Sequence, residues 1–194
     1  MPALRTYRDS LWRVTAPPPP RIDLWPPAVR SAWRLTGAIV PCGPGFRGLG
    51  WPETPTVRLA ALAEWLRPHQ AVTHGTAAWV WGASRTAGDA IEITMVAGRR
   101  RPITTAPEVR VRELRVAPDD LERLGDFDVT TPLRTAIDLL YRSEAFTPAD
   151  AIACRLLAFR FPGGLHRIRA HIGSRRRPGR TMALERLETL LSPR

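Results

Sequence analysis

The stretch FDVTTPLRTAIDLL, residues 127–140, changes its periodicity half-way, and that change decides the fold class. Residues 127–130 read as a short strand, apolar and β-branched. Thr131 and Pro132 then form an N-cap and first-turn pair. Beyond them Leu133, Ala136, Ile137 and Leu140 fall at i, i+3, i+4 and i+7, the apolar stripe of an amphipathic helix. Upstream lie two more strands. AIEITMVA, 90–97, alternates Ile91, Ile93 and Met95 on one face. VRVRELRV, 109–116, alternates at Val109 and Val111 and then shifts phase to Leu114 and Val116, which a bulge near Glu113 accommodates. Between them GRRRPITTAP forms a basic, hairpin-like loop with Arg99, Arg100 and Arg101.

Further out the pattern is helical. AVTHGTAAWVWGA, 71–83, writes a short helix that Thr73 or Thr76 can cap and Gly82 can end, with Trp79 and Trp81 as bulky packers. Thr54–Pro55 opens a helix through Val57, Leu59, Leu62 and Leu66, closed by Pro68. Thr147–Pro148 opens another, with Asp150 in its first turn, and Gly163–Gly164 break it. LHRIRAHI forms a further turn or two, RRRPG a basic loop, and MALERLETLL a final helix. The front is different. Pro17 to Pro20 and Pro26–Pro27 favour polyproline II, so residues 1–30 form an irregular arm. A short helix around Val29 to Leu35, a strand-like piece and a glycine-rich loop follow. The expectation is an α+β fold. It has a small β-sheet of about three to four strands packed with several helices, a helical C-terminal third, and an irregular Pro-rich N-terminal arm. The arm takes residues 1–53 and the compact part 54–194.

Charge narrows the function. The chain has 194 residues and a formal charge of +11. All 29 basic residues are Arg, and there is no Lys. Residues 36–150 are nearly neutral, with 13 Arg against 14 acids, whereas 151–184 hold eight Arg and no acid. Arg167, Arg169, Arg175, Arg176, Arg177 and Arg180 belong to that field. Segregation of this kind suits a polyanion or an acidic protein partner. With Arg99, Arg100 and Arg101, these six are the candidate partner-binding residues. No run of 18 apolar residues suggests a membrane span, and the N-terminus lacks a secretory pattern, so the expected location is the cytoplasm. Cys42 and Cys154 read as two lone buried thiols.

Two segments carry a family resemblance. AVTHGTAAWVWG, 71–82, is similar to the "aviSHrSAAalwGl" signature of AbiEi-type antitoxins. DVTTPLRTAIDLL, 128–140, is similar to their "vTsp.RTllDla" signature. The order of elements also matches, over roughly residues 36–160. The resemblance implies the antitoxin half of a type IV toxin–antitoxin pair, which counters a nucleotidyltransferase-like toxin encoded nearby and represses its own operon. It therefore implies that toxin and operator DNA as partners, and no cofactor. PAVRSAWRLTGAIVPCGPGFR resembles the end of a winged helix, but proline-rich sequence replaces the two helices that should precede it. Residues 1–53 thus look like a remnant of a winged-helix segment, and 54–194 like the antitoxin domain. The motif residues are Thr73, His74, Trp81, Gly82, Thr131, Pro132, Arg134, Thr135 and Asp138. Read physically, they suit a structural clasp. Arg134 and Asp138 stand at i, i+4, and Asp138 can equally accept from Thr73 or His74. Trp81 reads as core.

Catalytic patterns are missing from the sequence. GPGFRG, 43–48, formally matches GxGxxG, and a dinucleotide fold also needs a following helix and an acid about 20 residues on, but Pro44 lies inside the loop and Trp51–Pro52 with Pro55 interrupts any immediate helix. His166 and His171 are five apart, a poor spacing for a metal. Asp119, Asp120 and Glu122 read as the solvated start of a helix or turn. Some relatives continue into a restriction-endonuclease-like domain, yet such a core uses two acids and a Lys, and no Lys exists here. An Arg-rich nucleic-acid-binding regulator is the alternative reading, and a nuclease-related fragment the third.

Overall fold

In a computed structural model the chain is described over residues 17–96, 107–142, 144–174 and 177–192. Arg99, Arg100, Arg101, Arg175 and Arg176 lie outside the described residues. The fold is α+β, with a five-stranded sheet, a separate two-stranded hairpin and seven helices among the described residues.

Helix α1 (Pro27–Leu35) follows the prolines, close to where a short helix was expected, and Gly37 at φ 73° ends it. Strands β1 (Ile39–Cys42) and β2 (Gly45–Gly48) then form a hairpin, so the formal glycine motif is a tight turn. Gly45 is required there, since a side-chain carbon would collide with the Ala61 carbonyl. Helix α2 (Pro55–Ala60) is capped by Thr54, whose Oγ1 accepts from the Val57 N–H. It is shorter than its apolar pattern implied. Leu62, Ala63 and Trp65 continue in turns with i→i−3 bonds instead.

The main sheet runs β5-β4-β3-β7-β6. Its strands are β3 (Gln70–Val72), β4 (Ile91–Met95), β5 (Val109–Val111), β6 (Leu121–Leu124) and β7 (Phe127–Thr130). Strand β3 lies antiparallel to β4 and parallel to β7. This exceeds the three to four strands expected, for two reasons. β3 is only three residues long and leads straight into a helix cap. β6 carries the charges of Glu122 and Arg123, which masked it. The bulged strand expected over 109–116 ends at Val111, and the Arg112 side chain reaches Glu92.

Helices α3 (His74–Val80) and α4 (Pro132–Leu140) pack on each other and on the sheet. α5 (Pro148–Ala158), α6 (Gly164–Ser174) and α7 (Arg180–Leu191) build outward from α4. α2, α4 and α5 all start at Thr-Pro. At α5 the pair becomes a full capping box, with Asp150 Oδ2 accepting from the Thr147 N–H at 2.9 Å. α3 ends as expected at Gly82, whose φ of 76° lets the Ala83 N–H reach the Ala78 carbonyl. The core joins Val72, Ile93, Val129, Ile137, Leu140 and Leu157, and Cys42 from the hairpin belongs to it. Both cysteines are free and buried. Burial raises the Cys42 thiol to about 11 and pushes the Cys154 thiol up as well.

Candidate functional site

The two motif segments meet where α3 and α4 cross. β3 delivers Thr73 and His74 to the start of α3, and His74 takes a φ of 49° that L side chains adopt rarely. The Thr73 hydroxyl lies 3.4 Å from Asp138 Oδ2 and 3.1 Å from His74 Nδ1. Arg134 Nε donates to both Asp138 oxygens, at 2.9 and 3.0 Å. Its Nη1 donates to Asp120 at 2.6 Å and to the Arg115 carbonyl at 3.0 Å. One guanidinium therefore ties α4 to the turn before β6 and to the segment after β5. Asp120 is not the solvated acid expected of it, although Asp119 and Glu122 are exposed. His74 faces the Thr73 hydroxyl rather than Asp138. Beside the clasp, Trp81 Nε1 donates to the Thr130 carbonyl at 2.8 Å, and Thr135 bonds both the hydroxyl and the carbonyl of Thr130. Thr131 caps α4 through the Arg134 N–H, and Pro132 occupies its first turn.

Burial dominates the titration of this pair. It raises the Asp138 carboxyl to about 6, against the opposing pull of Arg134. It lowers the His74 imidazole to about 4, so the ring is neutral near pH 7.

A second ionic cluster adjoins His74, and the sequence pattern hid it. Glu92 on β4 is buried. It accepts from Arg112 at 2.7 Å, from Arg142 at 2.9 Å and from the Gly75 N–H at 2.9 Å. Arg142 reaches Asp150 at 3.4 Å, and Arg112 reaches Glu144 at 2.7 Å. Burial pushes the Glu92 carboxyl up, yet Arg112, Arg142 and Gly75 hold it below the usual range. Alternation in IEITM puts Glu92 and Thr94 on the polar face, which ordinarily means solvent. Here that face is covered as well, and both residues are buried.

Among the described residues, the arginines of the 151–184 field have different surroundings. Arg180 donates to the Ile172 and Gly173 carbonyls, closing the C-terminal end of α6. Arg169 pairs with Glu188 of α7 at 3.0 Å, so an acid beyond the acid-free stretch neutralises it. Arg167 is exposed. Arg177 lies 4.4 Å from the Tyr141 ring centroid and lines a cleft with Arg115 and Arg134.

Another exposed feature escaped the sequence reading. Ile152, Leu156 and Phe159 form a stripe along α5 that is 56 %, 44 % and 89 % exposed. Their i, i+4, i+7 spacing could have revealed it. Ala153, Cys154 and Leu157, at i, i+1 and i+4, also gather on one helix face, the opposite one, however, so periodicity alone does not say which face is core.

No family model, curated protein or solved structure matches the chain. Among the described residues no group of three or more His, Cys, Asp or Glu is placed to hold a metal ion, and no helix is long and apolar enough to cross a membrane.

Proposed function

We propose that this chain is a cytoplasmic, non-enzymatic antitoxin of the AbiEi kind that counteracts a nucleotidyltransferase-type toxin encoded nearby. One observation carries the reading. The two segments that resemble the family's signatures, far apart in sequence, close into one buried clasp through Thr73, Arg134 and Asp138. Residues matched for a shared architecture should behave in this way. A binding role also suits the outer face of α5. Ile152, Leu156 and Phe159 form a contiguous apolar strip of the kind that marks a protein contact. The proposal also includes repression of the chain's own operon. That part rests on α1 and the β1–β2 hairpin, which follow each other as helix and wing do.

The test is co-expression with the neighbouring nucleotidyltransferase-like gene. Induction of that gene alone should arrest growth, and co-expression of the antitoxin should restore it. Phe159→Ser with Leu156→Ser should leave the melting temperature unchanged and abolish co-purification. Unrestored growth with a folded wild-type chain would sink the antitoxin reading. Restored growth without co-purification would mean that neutralisation does not use direct contact.

A further inference from the structure

We propose that the cleft between α4, α6 and the 112–117 segment binds a nucleotide, taken either free or as one unit of a single strand. The cleft encloses about 480 Å³, within the usual span of ligand pockets, roughly 300–1,000 Å³. Leu114, Ile137 and Ile172 supply apolar lining. Tyr141 supplies an aromatic ring with the Arg177 guanidinium above it, 4.4 Å from the centroid. Such a pair is a stacking platform suited to a flat heterocycle.

The charged groups of the cleft divide by their partners. Arg134 is buried, and Asp138 and Asp120 already meet its charge. Arg115 and Arg177 are exposed, and neither makes an ion pair among the described residues. Two exposed guanidiniums, one of them lying over the Tyr141 ring and acting on the buried Asp138, match a phosphate joined to a base, since guanidinium binds phosphate oxygens in a bidentate fork. Glu113 also lines the cleft. Arg167 stands one turn before His171 on the same face of α6 and continues the positive charge outward, along the path a strand would follow. Nucleotide binding does not depend on the antitoxin reading, because a chain that restores no growth can still bind nucleotide.

The experiment is equilibrium binding by the full chain of CMP and of a 5′-phosphorylated RNA hexamer of cytidine. A hexaglutamate peptide and a short duplex serve as competitors. Saturable binding is expected. Arg115→Gln with Arg177→Gln should weaken it at least tenfold and lower the salt slope by about 0.7 for each phosphate left without its guanidinium. Tyr141→Leu should weaken it about fivefold or more. Should that variant fail to fold, the double arginine variant at exposed positions still decides the matter. Equal affinities for CMP and hexamer assign the cleft to a free nucleotide. A hexamer at least tenfold tighter assigns it to a strand. The proposal is overturned if neither probe binds saturably, if the double arginine variant binds as wild type, or if hexaglutamate or duplex displaces the hexamer at equal concentration.

Discussion

The central region and the C-terminal helices use the same residue, arginine, in opposite ways. In the centre, Arg112, Arg134 and Arg142 face carboxylates, some near in sequence and some not: Glu92, Asp120, Asp138 and Asp150. In the C-terminal helices arginines mostly face carbonyls and rings. Arg155 donates to the Leu190 carbonyl, Arg180 closes α6, and Arg186 donates to the carbonyls of Leu140 and Arg142 at the end of α4. Arg160 and Arg177 lie over Trp81 and Tyr141. The near-neutral count of residues 36–150 thus includes charges paired inside the fold. Within the acid-free stretch 151–184, Arg155, Arg160, Arg177 and Arg180 complement backbone carbonyls and aromatic faces, where no carboxylate is needed.

The contrast between these regions is tested most strongly at Glu92. Replacing it with Ala leaves the Gly75 N–H without its acceptor at a buried site and takes from Arg112 and Arg142 the carboxylate they share, so that they keep only Glu144 and Asp150. A destabilisation of about 3–5 kcal/mol is expected. Asp138→Ala should cost less, about 1–3 kcal/mol, because Arg134 keeps Asp120 and the Arg115 carbonyl. Chemical denaturation of both variants ranks them. A larger effect for Asp138→Ala would move the electrostatic centre of the fold to the motif clasp.

That ranking also marks how far the sequence could be read. The change of period at Thr131 predicted strand and helix, and the Thr-Pro starts placed three helices, because both signals are local. The Arg134–Asp138 pair was legible for the same reason, being one helical turn. Asp120 joined it only through tertiary packing, and no local pattern reports that. Glu92 was hidden because alternation tells which face a residue takes, not whether a second layer covers that face. The arginine field was legible as composition, but Glu188, which neutralises Arg169, comes from the next helix. The cleft needed the fold itself, since Arg115, Tyr141 and Arg177 come from three separate segments.

A smaller effect concerns pH, and it arises inside the clasp. Asp138 is raised in the folded chain to about 6, so the native state holds its proton where the unfolded chain has released it. Its contribution is present below the unfolded value and is lost as pH rises toward 6. His74 is lowered to about 4, so the unfolded chain takes up the proton first. Its contribution is present above the unfolded value and is lost as pH falls toward 4. The two windows overlap and the slopes oppose each other, so the clasp should look nearly pH-independent between about 4 and 6. Asp138→Asn should expose a stability that rises with pH across that window. His74→Asn, chosen because Asn tolerates positive φ, should expose one that falls. Parallel pH profiles for wild type and both variants would show that neither group titrates as its surroundings imply.

The smallest effect lies within the C-terminal helices and separates two arginines that composition treats alike. Arg180 donates to two carbonyls at the end of α6, groups that no intrahelical N–H can reach. Removing it returns those carbonyls to water and takes a cation from the negative end of the helix. Arg180→Ala should therefore cost about 1 kcal/mol, part of it sensitive to salt. Arg167 is exposed on the same helix and makes no ion pair among the described residues. Arg167→Ala should stay within about 0.5 kcal/mol of wild type, as exposed substitutions do. Thermal unfolding at low and high salt distinguishes them. Equal destabilisation by both would mean that α6 responds to net charge rather than to its capped end, and the contrast between paired and capping arginines would then fail at its finest point.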